Sequence, residues 1–120
     1  MTESDCLTVL QQKVQSFCEA RDWDQFHGPT ELAIGITTEA AELLAKFRFL
    51  NRQQAEDLLA DPKSREAIED ELADVFFFVL RFSQRFDVNL AGSMERKLEK
   101  NAARYPVDRA RGRNVKYTEL

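Results

Sequence analysis

The sequence contains few of the residues that break regular structure. Its 120 residues include only four glycines and three prolines. So few breakers leave long uninterrupted stretches, which argues against a β fold built from many short turns and favours helices. No window sustains the alternation of apolar and polar residues that predicts a half-buried strand. A chain of this length fits one domain, residues 1–120, with a workable core that needs no metal or disulfide.

Cysteine and long apolar runs are also scarce. Cys6 and Cys18 stand twelve residues apart on one expected helix. That separation is a rise of roughly 18 Å, whereas a disulfide needs Cα atoms within about 7 Å, so the two cannot pair with each other. Free thiols indicate a reducing compartment, and the polar, acidic N-terminus does not resemble a signal peptide. The longest apolar run, residues 75–80, is far shorter than the ~20 residues of a membrane span. We therefore predict a cytoplasmic protein with no membrane partner.

The chain has no excess of basic residues. Its net charge is −4, which argues against a nucleic-acid polymer as partner. A small anionic ligand remains compatible with this charge, because a bound metal ion reverses the local sign of a site.

Apolar residues recur at helical spacing along most of the sequence. The pattern predicts a loop at residues 22–29, DWDQFHGP, and an N-cap at Ser64. The residues after Pro106 show no clear period. The expected helices are 2–22, 30–50, a short one within 51–60, 65–86 and 90–104. The predicted fold is all-α, a four-helix bundle whose helices are joined by short loops, followed by an irregular C-terminal tail.

Two acidic pairs stand at the edges of apolar helix faces. Glu39 and Glu42 lie on the shoulder of one apolar stripe, where the alternative is a solvated helix surface. Glu71 and Asp74 share one face of a helix whose residues 72–80, LADVFFFVL, are apolar all round. An ionised carboxylate is costly to bury unless it is paired or binds a metal. For Glu71, an exposed first helical turn is the competing interpretation.

Acids from facing helices converge in the core of a bundle, where they form metal sites. Carboxylates without Cys or His favour hard cations such as Mg²⁺ or Mn²⁺ over Zn²⁺. The single histidine, His27, lies in the predicted loop, which excludes the E-x-x-H site of di-iron bundles. We predict that four acids bind Mg²⁺, with Mn²⁺ as a substitute: Glu39, Glu42, Glu71 and Asp74. Glu39 and Glu42 are both candidates for accepting a proton from an attacking water.

At these positions the chain resembles the MazG-like superfamily of all-α nucleoside triphosphate pyrophosphatases, and within it the dCTP pyrophosphatase branch. The superfamily pattern is E-E-x-x-E, a variable gap and E-x-x-D. Here it reads TEAAE at 38–42, then 28 intervening residues, then ELAD at 71–74. Thr38 replaces the first Glu, a departure typical of this branch. Further resemblance lies in RDWDQFH at 21–27, Lys97 and Asn101 followed by RYP at 104–106, RG at 111–112 and KYT at 116–118.

The resemblance implies hydrolysis of the α–β phosphate bond, which releases a nucleoside monophosphate and pyrophosphate during sanitation of the nucleotide pool. It implies that dCTP or related dNTPs are the substrates. The implied substrate-binding residues are Trp23, Gln25, Phe26, His27, Phe49, Phe78, Lys97 and Asn101. Phe49, Phe78 and Val14 stand where the dCTP enzymes have Trp, Tyr and His, and each change removes a polar group from the implied pocket.

Two other functions compete with this one. A non-catalytic helical module that senses nucleotides or binds a partner would not need all four acids. A different metal-dependent phosphohydrolase, such as one acting on phosphoribosyl-ATP, is disfavoured by the loop at 23–27 and the Tyr105-Pro106 region. A helix apolar on every side also exposes more apolar surface than one small bundle can cover, so we expect a homo-oligomer. The resemblance implies a dimer or a tetramer.

Overall fold

A computed structural model describes residues 3–120, with side chains described from Cys6 onward. Every regular element in this part of the chain is helical, which confirms the all-α prediction. No helix in residues 3–120 is long and apolar enough to cross a membrane. The elements are α1 (Glu3–Glu19), α2 (Pro29–Ala45), α3 (Arg52–Ala60), α4 (Pro62–Arg85), α5 (Leu90–Arg104) and α6 (Val107–Ala110), with 3₁₀ turns at Asp24–Phe26 and Tyr117–Glu119.

The chain divides into two compact units. Residues up to Asp87 form the first, and Val88–Leu120 form the second. In the first unit α4, which is 24 residues long, packs against α1, α2 and α3. The second unit contains α5, α6 and the terminal 3₁₀ turn. The four-helix count and the single domain therefore stay predictions.

The second helix is shorter than its sequence pattern predicts. The pattern continues to residue 50, but α2 ends at Ala45. The amides of Lys46 and Phe47 bond to carbonyls three residues earlier, at distances of 3.1 and 2.9 Å, which tightens the turn. Phe49 then takes a left-handed backbone conformation with φ of 69°, which a continuing helix cannot include.

Helix α4 begins before the predicted start at residue 65. Asp61, and not Ser64, is the N-cap, because its carboxylate accepts a bond from the Ser64 amide at 3.0 Å. Pro62 occupies the first turn of α4, where its missing N–H costs nothing.

Both ends of the chain also differ from expectation. Helix α1 ends at Glu19 rather than near residue 22, and its predicted first residue, Thr2, lies outside the described residues. The C-terminal tail is not irregular throughout, because it forms α6 and a 3₁₀ turn. A hydrogen bond of 2.9 Å connects Arg109 of α6 to the carbonyl of Leu120, the residue that follows the 3₁₀ turn.

The core of the first unit lies where α4 meets α1 and α2. The buried apolar side chains are Cys18, Leu32, Ile68 and Leu80. Gly35 of α2 lies directly against the ring of Phe78 on α4, and a Cβ atom at position 35 would stand 2.6 Å from two ring carbons. Only glycine permits this approach. Because Glu39 is one turn after Gly35 and Asp74 one turn before Phe78, this contact positions the two acidic pairs.

Candidate metal and nucleotide site

Three of the four predicted metal ligands meet between α2 and α4. One carboxylate oxygen from each of Glu39, Glu42 and Glu71 lies within 4.8 Å of the others. Glu39 and Glu42 are three residues apart on α2, so they project from one face. Glu71 comes from the facing helix, α4, whose packing against α2 completes the group. The convergence predicted from spacing is therefore present for these three acids.

Glu39 and Glu71 each carry a carboxylate oxygen without a partner. Each has one oxygen, Oε2, that is out of contact with solvent and without a hydrogen bond. Burial raises the pKa of Glu39. A hydrogen bond to Glu42 and the negative charge of Glu42 raise the pKa of Glu39 further. Burial also raises the pKa of Glu71, as do the charge of Glu42 and a hydrogen bond to it, while Lys46 acts in the opposite direction. Protein groups alone leave this concentration of negative charge unbalanced.

Asp74 lies beside the three-residue group and not within it. Its side chain is exposed, but its charge contributes to raising the pKa of both Glu39 and Glu71. This arrangement suits a hard divalent cation such as Mg²⁺. All of the ligand atoms are carboxylate oxygens, two of the buried oxygens have no partner, and a fourth acid is adjacent. The residues present therefore fit a metal of this kind.

The predicted base-binding loop leads from α1 into α2. The amide of Trp23 bonds to the carbonyl of Cys18 at 3.0 Å, and the 3₁₀ turn Asp24–Phe26 follows. Gly28 then caps α2. The Trp23 ring makes an edge contact with the His27 ring, with centroids 6.1 Å apart. The loop thus presents an aromatic ring and an imidazole side by side.

Aromatic contacts join this loop to α4. Trp23 contacts Phe17 at a centroid distance of 5.7 Å, and Phe17 contacts Phe77 at 6.0 Å. Phe77 in turn contacts Phe78 at 5.3 Å. Three of the predicted pocket residues, Trp23, His27 and Phe78, therefore belong to one continuous set of rings.

Arg81 is a residue of this region that the sequence analysis did not identify. It lies on α4 and is completely buried. Its Nε donates to Nδ1 of His27 at 2.8 Å, one Nη donates to Gln84 at 2.6 Å, and the other pairs with the carboxylate of Asp24. A signal was present in the sequence, because an arginine directly after the apolar run at 75–80 needs partners if it is buried.

These contacts shift the ionisation of the loop. The hydrogen bond from Arg81 holds the pKa of Asp24 below its usual value. Burial lowers the pKa of His27, and the charge of Arg81 lowers it further, so both effects favour the neutral imidazole.

The other predicted substrate-binding residues are placed differently. Gln25 is exposed and bonds back to Asp22, and Phe26 is also exposed. Phe49 is 90% exposed and makes none of the ring contacts described above, with the guanidinium of Arg48 4.8 Å from its centroid. Lys97 and Asn101 lie on α5, in the second unit, four residues apart on one face. Their contacts with phosphate stay a prediction.

Comparisons with known proteins agree with this geometry. The sequence profile of the MazG-like family matches residues 34–120. The chain is 35% identical over 104 residues to dCTP pyrophosphatase 1 of Rattus norvegicus, and 34% identical over 104 residues to dCTP pyrophosphatase 1 of Homo sapiens. Each alignment covers 87% of this chain but only 61% of the relative, so the chain spans less than two thirds of their length.

A solved structure gives the same result at the level of the fold. The crystal structure of a pyrophosphatase from Archaeoglobus fulgidus superimposes with a TM-score of 0.77 at 30% sequence identity. The superposition covers 82% of this chain and 91% of that protein. The resemblance inferred from the acid motif and the flanking segments is confirmed, and the chain belongs to the MazG-like family.

Proposed function

We propose that this protein is a Mg²⁺-dependent nucleoside triphosphate pyrophosphatase that hydrolyses the bond between the α and β phosphates and releases a monophosphate and pyrophosphate. The observation that carries the proposal is the meeting of three glutamates from α2 and α4 with two buried, unpartnered oxygens. Relatives named dCTP pyrophosphatase support it. A non-catalytic nucleotide sensor has no need of four neighbouring acids, so that alternative is disfavoured.

In this proposal Glu39, Glu42, Glu71 and Asp74 hold the metal, for which Mn²⁺ is the expected substitute. A divalent ion held by these acids would neutralise part of the triphosphate charge and would favour ionisation of the attacking water. Glu39 or Glu42 accepts the proton of the attacking water, since both carboxylates belong to the cluster. Lys97 and Asn101 are proposed to contact phosphate oxygens.

The base and sugar are assigned to the Trp23–His27 loop. The Trp23 ring offers a face for stacking, and His27 offers a polar group beside it. Phe49, Phe78 and Val14 are apolar, so fewer hydrogen-bonding groups are available to select one base. We propose dCTP or related dNTPs as substrates, with a role in removing unwanted nucleotides from the pool.

An assay of the purified protein against each NTP and dNTP with Mg²⁺ tests the proposal. Pyrophosphate is the expected product, whereas orthophosphate would place the cleaved bond elsewhere. We expect Glu42→Gln to lower kcat by at least about 100-fold, because it removes one charge from the cluster. Glu66→Gln changes an exposed glutamate on α4 by the same chemistry and serves as the control. Full activity of Glu42→Gln would refute the metal assignment.

We propose that the protein acts as a homo-oligomer, a dimer or a tetramer. Helix α4 carries an apolar groove of about 520 Å³ lined by Glu69, Leu72, Ala73, Val75, Phe76 and Val79. Ile34 and Leu44 of α2 are also more than half exposed. Exposed apolar area of this kind marks association surfaces. Light scattering coupled to size-exclusion chromatography measures the number of subunits, and a monomer at micromolar concentration would contradict the proposal.

Free Cys6 and Cys18 support the predicted cytoplasmic location.

A further inference from the structure

The side chain of Arg81 is charged and has no contact with solvent. A buried guanidinium is destabilising unless its N–H groups are hydrogen-bonded and its charge is balanced. Arg81 meets both requirements through Asp24, His27 and Gln84. Two of these three partners belong to the loop before α2, 54 and 57 residues away in sequence. The arginine therefore connects α4 to the base-binding loop.

The two loop partners of Arg81 occupy the ends of one 3₁₀ turn. Asp24 is the first residue of the turn and His27 follows its last residue, with the His27 amide bonded to the Asp24 carbonyl at 3.2 Å. A single guanidinium thus holds both ends of the segment that carries Gln25 and Phe26. Because Trp23 directly precedes this segment and contacts His27, the same interaction positions the aromatic ring.

The hydrogen bond to Nδ1 determines which nitrogen of His27 carries the proton. A guanidinium donates and never accepts, so Nδ1 of His27 must be the acceptor and must lack a proton. In a neutral imidazole the proton is then on Nε2. Among the side chains from Cys6 onward, none forms a hydrogen bond with Nε2, and the His27 side chain is only partly buried. Nε2–H is therefore a donor available to a ligand.

We propose that Arg81 is a positioning residue for base recognition, which fixes His27 as the Nε2–H tautomer so that the loop presents a hydrogen-bond donor to an acceptor atom on the edge of the nucleobase. The acceptor is a carbonyl oxygen or an unprotonated ring nitrogen. This inference rests on the proposed nucleotide pyrophosphatase function, which it extends by naming the group that reads the base and the residue that orients it.

The tautomer is measured directly by long-range ¹H–¹⁵N NMR on the full chain. His27 is the only histidine, so its imidazole signals need no assignment. We expect a single tautomer in the wild type, with Nδ1 unprotonated and Nε2 protonated at neutral pH. In Arg81→Met we expect averaged signals from two tautomers, because the donor to Nδ1 is gone. A protonated Nδ1 or mixed tautomers in the wild type would overturn the proposal.

Kinetics separate positioning from general stability. For the preferred nucleotide, Arg81→Met is expected to raise KM about tenfold, the effect of losing one oriented hydrogen bond, with a smaller change in kcat. The kcat/KM ratio between preferred and disfavoured bases should fall toward one. Arg65→Met, an exposed arginine on the same helix, is the control. A uniform loss of kcat for all nucleotides with base discrimination intact would show that Arg81 is only structural.

A second variant covers the possibility that Arg81→Met does not fold. Arg81→Lys keeps the charge beside Asp24 but lacks the planar guanidinium that reaches His27 and Asp24 together. It is expected to retain the fold and still lose base discrimination, and unchanged discrimination would refute the proposal. If the wild type cleaves no nucleotide, the proposed function fails, while the tautomer measurement still tests the contact between Arg81 and His27.

Discussion

The contact between Gly35 and Phe78 makes a prediction that joins the fold to the site. In Gly35→Ala the new Cβ would lie 2.6 Å from Cδ1 and Cε1 of the Phe78 ring and 2.9 Å from Cγ. Carbon atoms pack at roughly 3.5–4.0 Å, so α2 and the ring must separate by about 1 Å. The ring cannot easily turn aside, because it is itself half-buried and lies against Phe77.

Two opposing effects set the magnitude of the change. Overpacking of this kind lowers the free energy of unfolding by about 1–3 kcal/mol. Replacing glycine by alanine inside a helix raises it by about 1 kcal/mol. The expected net change in Gly35→Ala is a loss of about 1 kcal/mol, or a decrease in Tm of roughly 4 °C for a chain of this size.

Removing the ring should reverse the sign. In a Phe78→Ala background the Cβ meets no ring, so Gly35→Ala should raise the free energy of unfolding by about 1 kcal/mol. The coupling between the two positions is then about 2 kcal/mol, measured by urea unfolding followed by circular dichroism. Ala41→Gly, at an exposed position of α2, measures helix propensity alone. If Gly35→Ala stabilises the protein equally in both backgrounds, the close contact does not exist.

The same substitution should also lower activity. Separating α2 from α4 moves Glu39 and Glu42 away from Glu71, and a displacement of about 1 Å at a catalytic group can cost ~100-fold in rate. We expect kcat of Gly35→Ala to fall by up to that factor while helix content stays unchanged. Wild-type kcat in this variant would show that the acids do not depend on the approach of the two helices.

Two further predictions concern charge. Glu71→Gln should raise Tm in EDTA, because it removes one negative charge from the cluster and replaces a carboxylate oxygen by an amide group that can donate a hydrogen bond to a neighbouring acid. It should also abolish the increase in Tm that Mg²⁺ gives the wild type, and an unchanged Mg²⁺ effect in differential scanning fluorimetry would contradict the assignment. The pKa of His27 should lie below 6.5 in NMR titration. Because the pKa of His27 is lower in the folded than in the unfolded state, the unfolded chain binds the proton more tightly. The stabilisation that comes from neutral His27 is therefore complete above pH 6.5 and is lost as the pH falls through the folded-state pKa. This stabilisation is measured by comparing the free energy of urea unfolding at about pH 7.5 and about pH 5.5 in the wild type and in His27→Gln. An identical pH dependence in the two proteins would refute the prediction.

The sequence by itself determined the fold class, the family and the acid motif. Helical periodicity and the scarcity of breakers depend on local geometry, so they can be read along the chain without knowing what packs against what. The spacing of Glu39 and Glu42 places both on one helix face for the same reason. The ends of α2 and α4 also depend on local chemistry, but the apolar pattern of α2 continues past the left-handed Phe49, and Ser64 is a competing N-cap candidate three residues after Asp61.

The tertiary structure decided which groups meet. Whether Glu39 faces Glu71 depends on how closely α2 approaches α4, and that distance is set by Gly35 against the Phe78 ring. The contacts of Arg81 with His27 and Asp24 join residues more than fifty positions apart, so no local pattern contains them. Once the guanidinium is buried, the cost of leaving its N–H groups unpaired requires Asp24 and His27 to turn toward it. The acid motif can therefore be recognised from the order of the residues, whereas the orientation of the Trp23–His27 loop depends on tertiary contacts.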